Sequence, residues 1–331
     1  MNKTNNQSCH KKGDATVITL ETLSREAKNK IQEYIVGNQD LIQLILVALL
    51  SNGHILIEGV PGTAKTTIAK SIALITDCDF RRIQGAVDIQ PADIIGVRTY
   101  DIVSRDFVLK PGPVFTNILL ADELNRMNPK AQSAFIESMS ERQATIDGET
   151  ILLPDPFIVI ATQNPYEMEG TFPMIEVQRD RFMFSMDTSH LDSEEELMVI
   201  RRASDGKLNW KKYADSISPI IEKETLIQLI KNVSDIHIED PLLQYIRDII
   251  IKTRKHPDIA LGASSRASIS FISGVKSFAA LQGREYVIPD DVKWIAQKVL
   301  KHRIYLTREA EIEGINSTEI IQDILESVEV Q

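Results

Sequence analysis

His54-Ile55-Leu56-Ile57-Glu58-Gly59-Val60-Pro61-Gly62-Thr63-Ala64-Lys65-Thr66 is the stretch that decides the fold class of this 331-residue chain. Ile55-Leu56-Ile57 is an unbroken apolar run, as in a strand buried on both faces of a parallel sheet. From Thr66 to Ile75 the apolar residues Ile68, Ala69, Ile72, Ala73 and Ile75 recur at helical spacing. A strand, a glycine loop and a helix in that order form a cradle for phosphate, because loop N–H groups and the helix N-terminus point at the anion. Lys65 is then expected to reach the β- and γ-phosphates, and the Thr66 hydroxyl to bind Mg²⁺. The expected nucleotide contacts are Gly59, Val60, Pro61, Gly62, Thr63, Ala64, Lys65, Thr66 and Thr67. Glycine is usual before the lysine. Ala64 instead places a Cβ where the backbone is expected to take positive φ.

Outward from this loop, strands alternate with helices. Helices are predicted over Leu20–Ile35 and Gln39–Leu50 before it. After it come strands at Phe80–Gln84, Ile118–Asp122, Phe157–Ala161 and Arg181–Met186, with a helix at Pro129–Met139 capped by Asn128. This is an α/β pattern: a three-layer αβα P-loop core on a parallel five-stranded sheet. Two insertions interrupt it. Residues 85–117 hold Pro91, Gly96, Pro111, Gly112 and Pro113, too many breakers for one helix. Residues 141–156 read as a hairpin turning at Asp147-Gly148. After Asp187 the pattern becomes helical only. The predicted organisation is a flexible tail over 1–16, a core over 17–188 and a smaller all-α lid over 189–331.

Four further clusters carry chemistry. The apolar strand Leu119-Leu120-Ala121 ends in Asp122 and Glu123. Asp122 would hold Mg²⁺, and Glu123 would orient and deprotonate the attacking water. Asn164, after the next strand, would place an amide between the γ-phosphate and that water. In Gln178-Arg179-Asp180-Arg181-Phe182, Arg181 is the choice for an arginine supplied to a neighbouring subunit, with Arg179 second. The competing reading of Arg181 is a surface ion pair with Asp180 or Glu176. Arg266 follows Gly262-Ala263-Ser264-Ser265 at a helix start and would reach back to the γ-phosphate, tying lid position to nucleotide state.

Composition narrows the alternatives. With 37 Lys+Arg against 47 Asp+Glu the net charge is -10, unfavourable for general binding of nucleic acid or anionic membrane. Cys9 and Cys78 make no disulfide framework, consistent with free thiols in a cytoplasmic protein. Lys3, Lys11 and Lys12 precede no apolar segment of the kind a signal peptide needs, and the longest apolar run, Leu41–Leu50, is too short to span a bilayer.

In this order the motifs resemble the AAA+ superfamily, and more closely the MoxR family, related to the magnesium-chelatase ATPase subunits. The resemblance runs over about residues 30–305. It rests on Glu58–Thr66, Arg82-Ile83-Gln84, Pro111-Gly112-Pro113, Leu120–Arg126, Glu141-Arg142-Gln143, Ala161–Pro165, Asp180-Arg181-Phe182 and Gly262–Ala267. Alanine at position 64 is common in that family, whereas Arg179 and Leu124 depart from its pattern. The resemblance implies that Val36 and Gly37 touch adenine, that 85–117 holds an extra helix, and that 141–156 is the hairpin before the Asn164 strand. It implies a Mg²⁺-dependent ATPase using ATP/ADP in a homo-oligomeric, hexameric ring. It further implies a chaperone-like role in remodelling, maturation or metal and cofactor insertion, with a client and a von Willebrand factor A domain protein as partners. A metal-chelatase-type motor subunit and a nucleotide-gated scaffold with little turnover are the alternative functions. Neither nucleic-acid binding nor direct membrane insertion is expected.

Overall fold

The computed structural model describes residues 19–165 and 170–330. The predicted tail, with Cys9, lies outside them. Two helices lead in, α1 (Leu20–Tyr34) and α2 (Gln39–Leu50), then β1 (Ile55–Gly59), α3 (Lys65–Ile75) and β2 (Phe80–Gln84). The first insertion follows as α4 (Pro91–Ile95), β3 (Gly96–Asp101) and β4 (Asp106–Pro111). Next come β5 (Ile118–Asp122), α5 (Pro129–Glu141), the hairpin β6 (Gln143–Ile146) and β7 (Glu149–Leu152), then β8 (Ile158–Gln163), α6 (Glu176–Arg179) and β9 (Phe184–Thr188).

Strands β2, β5, β8, β1 and β9 lie side by side in that order, every pair parallel. Successive side chains of a strand point to opposite faces, and both faces are covered. Ile55, Ile57, Ile118, Leu120, Ile158 and Ile160 pack on α1, α2 and α3. Leu56, Leu119, Ala121, Val159 and Ala161 pack on α4, α5 and the insertions. This double burial is why the strands read as continuous apolar runs.

The lid comprises α7 (Ser193–Ser204), α8 (Trp210–Ser216), α9 (Lys223–Asn232), α10 (Asp240–Lys255), α11 (Ser265–Leu281), α12 (Pro289–Leu300), α13 (Arg308–Ile312) and α14 (Ser317–Ser327). It is helical apart from a small antiparallel pair, β10 (Ile259–Leu261) with β11 (Tyr305–Leu306). Its apolar residues Leu226, Ile249, Phe271, Val275, Ile295 and Ile321 join α1, α2 and Phe184 in one continuous core. The lid is thus seated on the first face of the sheet, with α11 packed on α1 and α2.

The first insertion holds more than an extra helix. It holds a single short helix, α4, followed by the ribbon β3–β4, whose tip exposes Ile102 and Val103. The second is the predicted hairpin, with positive φ at Asp147 and Gly148. Arg98 of β3 and Glu149 of β7 form an ion pair that joins the two insertions.

Candidate nucleotide site

Two cavities open on either side of the glycine loop, at the carboxyl ends of the strands. One, of about 270 Å³, is lined by Tyr34 at the end of α1, by Val36 and Asn38 after it, and by His190, Glu196, Val199 and Leu208 from the lid. The other, of about 420 Å³, is lined by Lys65, Thr66, Arg82, Asp122, Glu123 and Asn164, among others. Pro61, Gly62, Thr63, Ala64 and Thr67 form the wall between them and line both. A ligand with an apolar ring at one end and anionic groups at the other would fit across this wall. Gly37 lies beside the first cavity with φ 69°, and a Cβ there would meet Glu195 and Leu191 of the lid.

The loop conformation follows from its sequence. At Gly59 a Cβ would lie 2.1 Å from the carbonyl oxygen of Thr188, so only glycine fits. Ala64 does take the left-handed conformation, with φ 58° and ψ 14°, and its carbonyl oxygen starts α3 by accepting from Ile68 N–H. Lys65 Nζ donates to the carbonyl of Val60 at 2.7 Å. Burial pushes this ammonium below its usual pKa, and the Asp122 carboxylate opposes that shift.

The two carboxylates at the end of β5 are set by one hydroxyl. Thr162 Oγ1 donates to Asp122 Oδ1 at 2.6 Å and accepts from the backbone N–H of Glu123 at 3.0 Å. Glu123 has φ 55°, a left-handed conformation that costs a non-glycine residue energy and that neighbouring contacts must hold. Its Oε2 accepts from Gln84 Nε2 at 2.8 Å, while Arg82 Nη2 donates to Asp122 Oδ2 at 2.5 Å. Sequence reasoning gave Thr162, Arg82 and Gln84 no role. The available signal was Arg82 and Gln84 at i and i+2, two polar residues on one side of a strand end.

The Thr66 hydroxyl and the Asp122 carboxylate both line the larger cavity. Hard oxygen donors of this kind, few in number, suit Mg²⁺ that keeps phosphate oxygens and water for the rest of its shell. Among the described residues no cluster of three or more His, Cys, Asp or Glu side chains forms a metal cage.

Arg181 and Arg266 are elsewhere. They line a third cavity with Asn52, Gly53 and His54 before β1 and Met183 before β9. That is the amino end of the strands, a full strand length, about 16 Å, from the loop. The structure therefore does not bring Arg266 to the phosphate cavity of its own chain. Asp180 pairs with Arg303 at 2.8 Å and Arg266 at 3.1 Å, and no ion pair holds Arg181 among the described residues. Arg179 pairs with Glu58 at 3.0 Å and is absent from the third cavity's lining.

Residues 54–184 match the family described as ATPase family associated with various cellular activities (AAA), and residues 251–324 match the AAA lid domain. The chain is 41% identical to the uncharacterized protein YeaC of Bacillus subtilis, over 94% of this chain and 96% of that one. It is 39% identical to Chaperone MoxR1 of Mycobacterium tuberculosis, over 95% of this chain and 83% of that one. A crystal structure from Cytophaga hutchinsonii, named there as a candidate ATPase, superposes with TM-score 0.86 at 38% identity, covering 94% and 96% of the two chains.

Proposed function

Because this chain belongs to the MoxR family of AAA+ ATPases, we propose that it hydrolyses ATP, with Mg²⁺, at sites each completed by a neighbouring copy in a hexameric ring. The observation that carries this reading is the separation just described. Lys65, Thr66, Asp122, Glu123 and Asn164 gather at one end of the sheet, and Arg181, with Arg266, stands at the other. Two arginines a strand length away cannot serve the phosphates of their own chain, so they are presented to another.

In this reading adenine enters the smaller cavity beside Val36 and Gly37, and the phosphates lie along Gly59–Thr67 into the larger one. Lys65 exchanges its loop carbonyl for phosphate oxygens. Thr66 and Asp122 would hold Mg²⁺, which would neutralise charge on the phosphates. Glu123, its backbone N–H held by the Thr162 hydroxyl, leaves the Gln84 amide and takes the proton of the attacking water, and Asn164 orients that water. Arg181 and Arg266 of the next copy compensate the charge of the transition state. His190, Glu196 and Val199 bring the lid to the adenine cavity, so turnover would shift the lid. The joined insertions would move against a protein client, in chaperone-like remodelling in the cytoplasm with a von Willebrand factor A domain partner.

Replacing Glu123 by Gln tests the hydrolytic part. Turnover should fall by about 10²-fold or more while a fluorescent ATP analogue still binds. Unchanged turnover in E123Q would remove Glu123 and this mechanism from consideration.

A further inference from the structure

One buried guanidinium gathers the segment around Arg181. Arg303, in the turn after α12, has a side chain only 1% exposed. Its Nε donates to Asp180 Oδ1 at 2.8 Å. Nη2 donates to the carbonyls of Phe182 at 2.6 Å and Asp180 at 3.2 Å, and to Ser270 Oγ at 3.2 Å. Nη1 donates to the carbonyls of Met183 at 2.9 Å and Val299 at 2.8 Å. A guanidinium carries five N–H donors in a rigid fork, and here the fork grips the backbone on both sides of residue 181. The other oxygen of Asp180 accepts from Arg266 Nη1 at 3.1 Å and from Ser264 Oγ at 3.2 Å. One carboxylate therefore joins the start of α11, which carries Arg266, to the segment that carries Arg181.

Resting on the shared-site reading above, we propose that Arg303 is a positioning residue for the neighbour's reaction: through Asp180 and the carbonyls flanking Arg181, it presents Arg181 and Arg266 as one rigid pair. Arg303 is too buried to touch nucleotide itself. Its direct bonds go to Asp180, to the carbonyls flanking Arg181, to Val299 and to Ser270 of α11, and it is linked to the Arg266 side chain through Asp180. A defect at position 303 should therefore appear in the site of the adjacent copy, leaving the chain's own loop intact.

Mixed assemblies test this. Arg303→Gln alone should bind a fluorescent ATP analogue within about twofold of wild type, yet lose about 10²-fold or more in kcat, as expected for misplacing a transferred arginine. Mixed in equal amounts with E123Q, it should recover turnover towards about one quarter of wild type. That is the fraction of sites pairing an intact Glu123 with an intact arginine pair when copies assemble at random. Mixing Arg303→Gln with Arg181→Ala should recover nothing, since both lack the same half of the site. A mixture of Arg181→Ala and E123Q serves as the control. If that control shows no recovery, the shared-site reading is overturned. If it recovers and the Arg303→Gln mixture does not, the positioning role of Arg303 is overturned. Should Arg303→Gln fail to fold in a thermal melt, Arg303→Lys takes its place, keeping the charge beside Asp180 without the fork. Wild-type kcat in Arg303→Lys would also overturn the proposal.

Discussion

Ala64 sits in the left-handed region, where an L residue costs about 1–2 kcal/mol relative to glycine. Glycine would remove that strain but lose roughly 0.5–1 kcal/mol through a freer unfolded chain. The difference favours glycine by at most ~1.5 kcal/mol, so Ala64→Gly should shift Tm by no more than a few degrees and keep nucleotide affinity. Ala64→Val adds a β-branch where the backbone tolerates it least, and should weaken nucleotide binding by about tenfold or more. Titration of a fluorescent nucleotide checks both. Gln84 offers a second test. Its amide holds Glu123 at 2.8 Å and competes with the water that Glu123 must engage. Gln84→Ala should raise basal turnover several-fold in a steady-state assay without partners, whereas a fall would show that Gln84 orients the base productively. Ala64's positive φ was legible in the sequence, because a tight phosphate loop demands it. Gln84's contact was not, since it depends on the pairing of β2 with β5.

His54 links elements in a way its sequence position does not announce. It precedes β1, yet its Nδ1 accepts from Val159 N–H of β8 at 3.0 Å and its Nε2–H donates to the carbonyl of Met139 in α5 at 3.0 Å. Burial, with Arg142 nearby, lowers its pKa from 6.5 to about 3. The unfolded chain therefore takes up a proton below about pH 6.5, and the folded chain does not until about pH 3. Stability from this residue falls as pH drops through that window, by up to ~1.4 kcal/mol per pH unit. Gln supplies an acceptor and a donor without titrating. His54→Gln should show a smaller loss of Tm between about pH 7 and pH 5 than wild type. An equal loss would assign the acid sensitivity to other groups. The insertions teach a similar lesson about elements. Pro91, Gly96, Pro111 and Gly112 read as helix breakers, and they are, but they also build the neck of the β3–β4 ribbon. A Cβ on Gly96 would lie 2.3 Å from the Lys110 carbonyl oxygen, and one on Gly112 would lie 2.2 Å from that of Ile94. Breakers mark where a chain bends, and what lies between them is decided by pairing. The parallel strands were legible because burial on both faces leaves only apolar residues.

At the scale of the whole molecule, the site as read along the chain divides in two. Lys65, Thr66, Asp122, Glu123 and Asn164 converge because each stands on or beside the carboxyl end of a parallel strand, which strand order alone ensures. Arg266 could not be placed from sequence, because its destination depends on how α11 packs against α1 and α2. Specific ATPase activity should therefore rise with protein concentration, and Arg181→Ala should remove most of it at every concentration. A flat profile from a chain that sediments as a monomer would mean that one copy suffices.

If the two residue groups are half-sites, as proposed, their placement at opposite ends of one sheet also bears on symmetry. A two-fold axis joins a surface to its own copy, and so would set loop against loop or arginines against arginines. Satisfying both ends of every chain requires a heterologous contact repeated in one direction. Such a contact has polarity, and it either closes on itself or continues as an open helix. In the proposed shared site, the small rotation between successive copies would decide between a finite object and a filament.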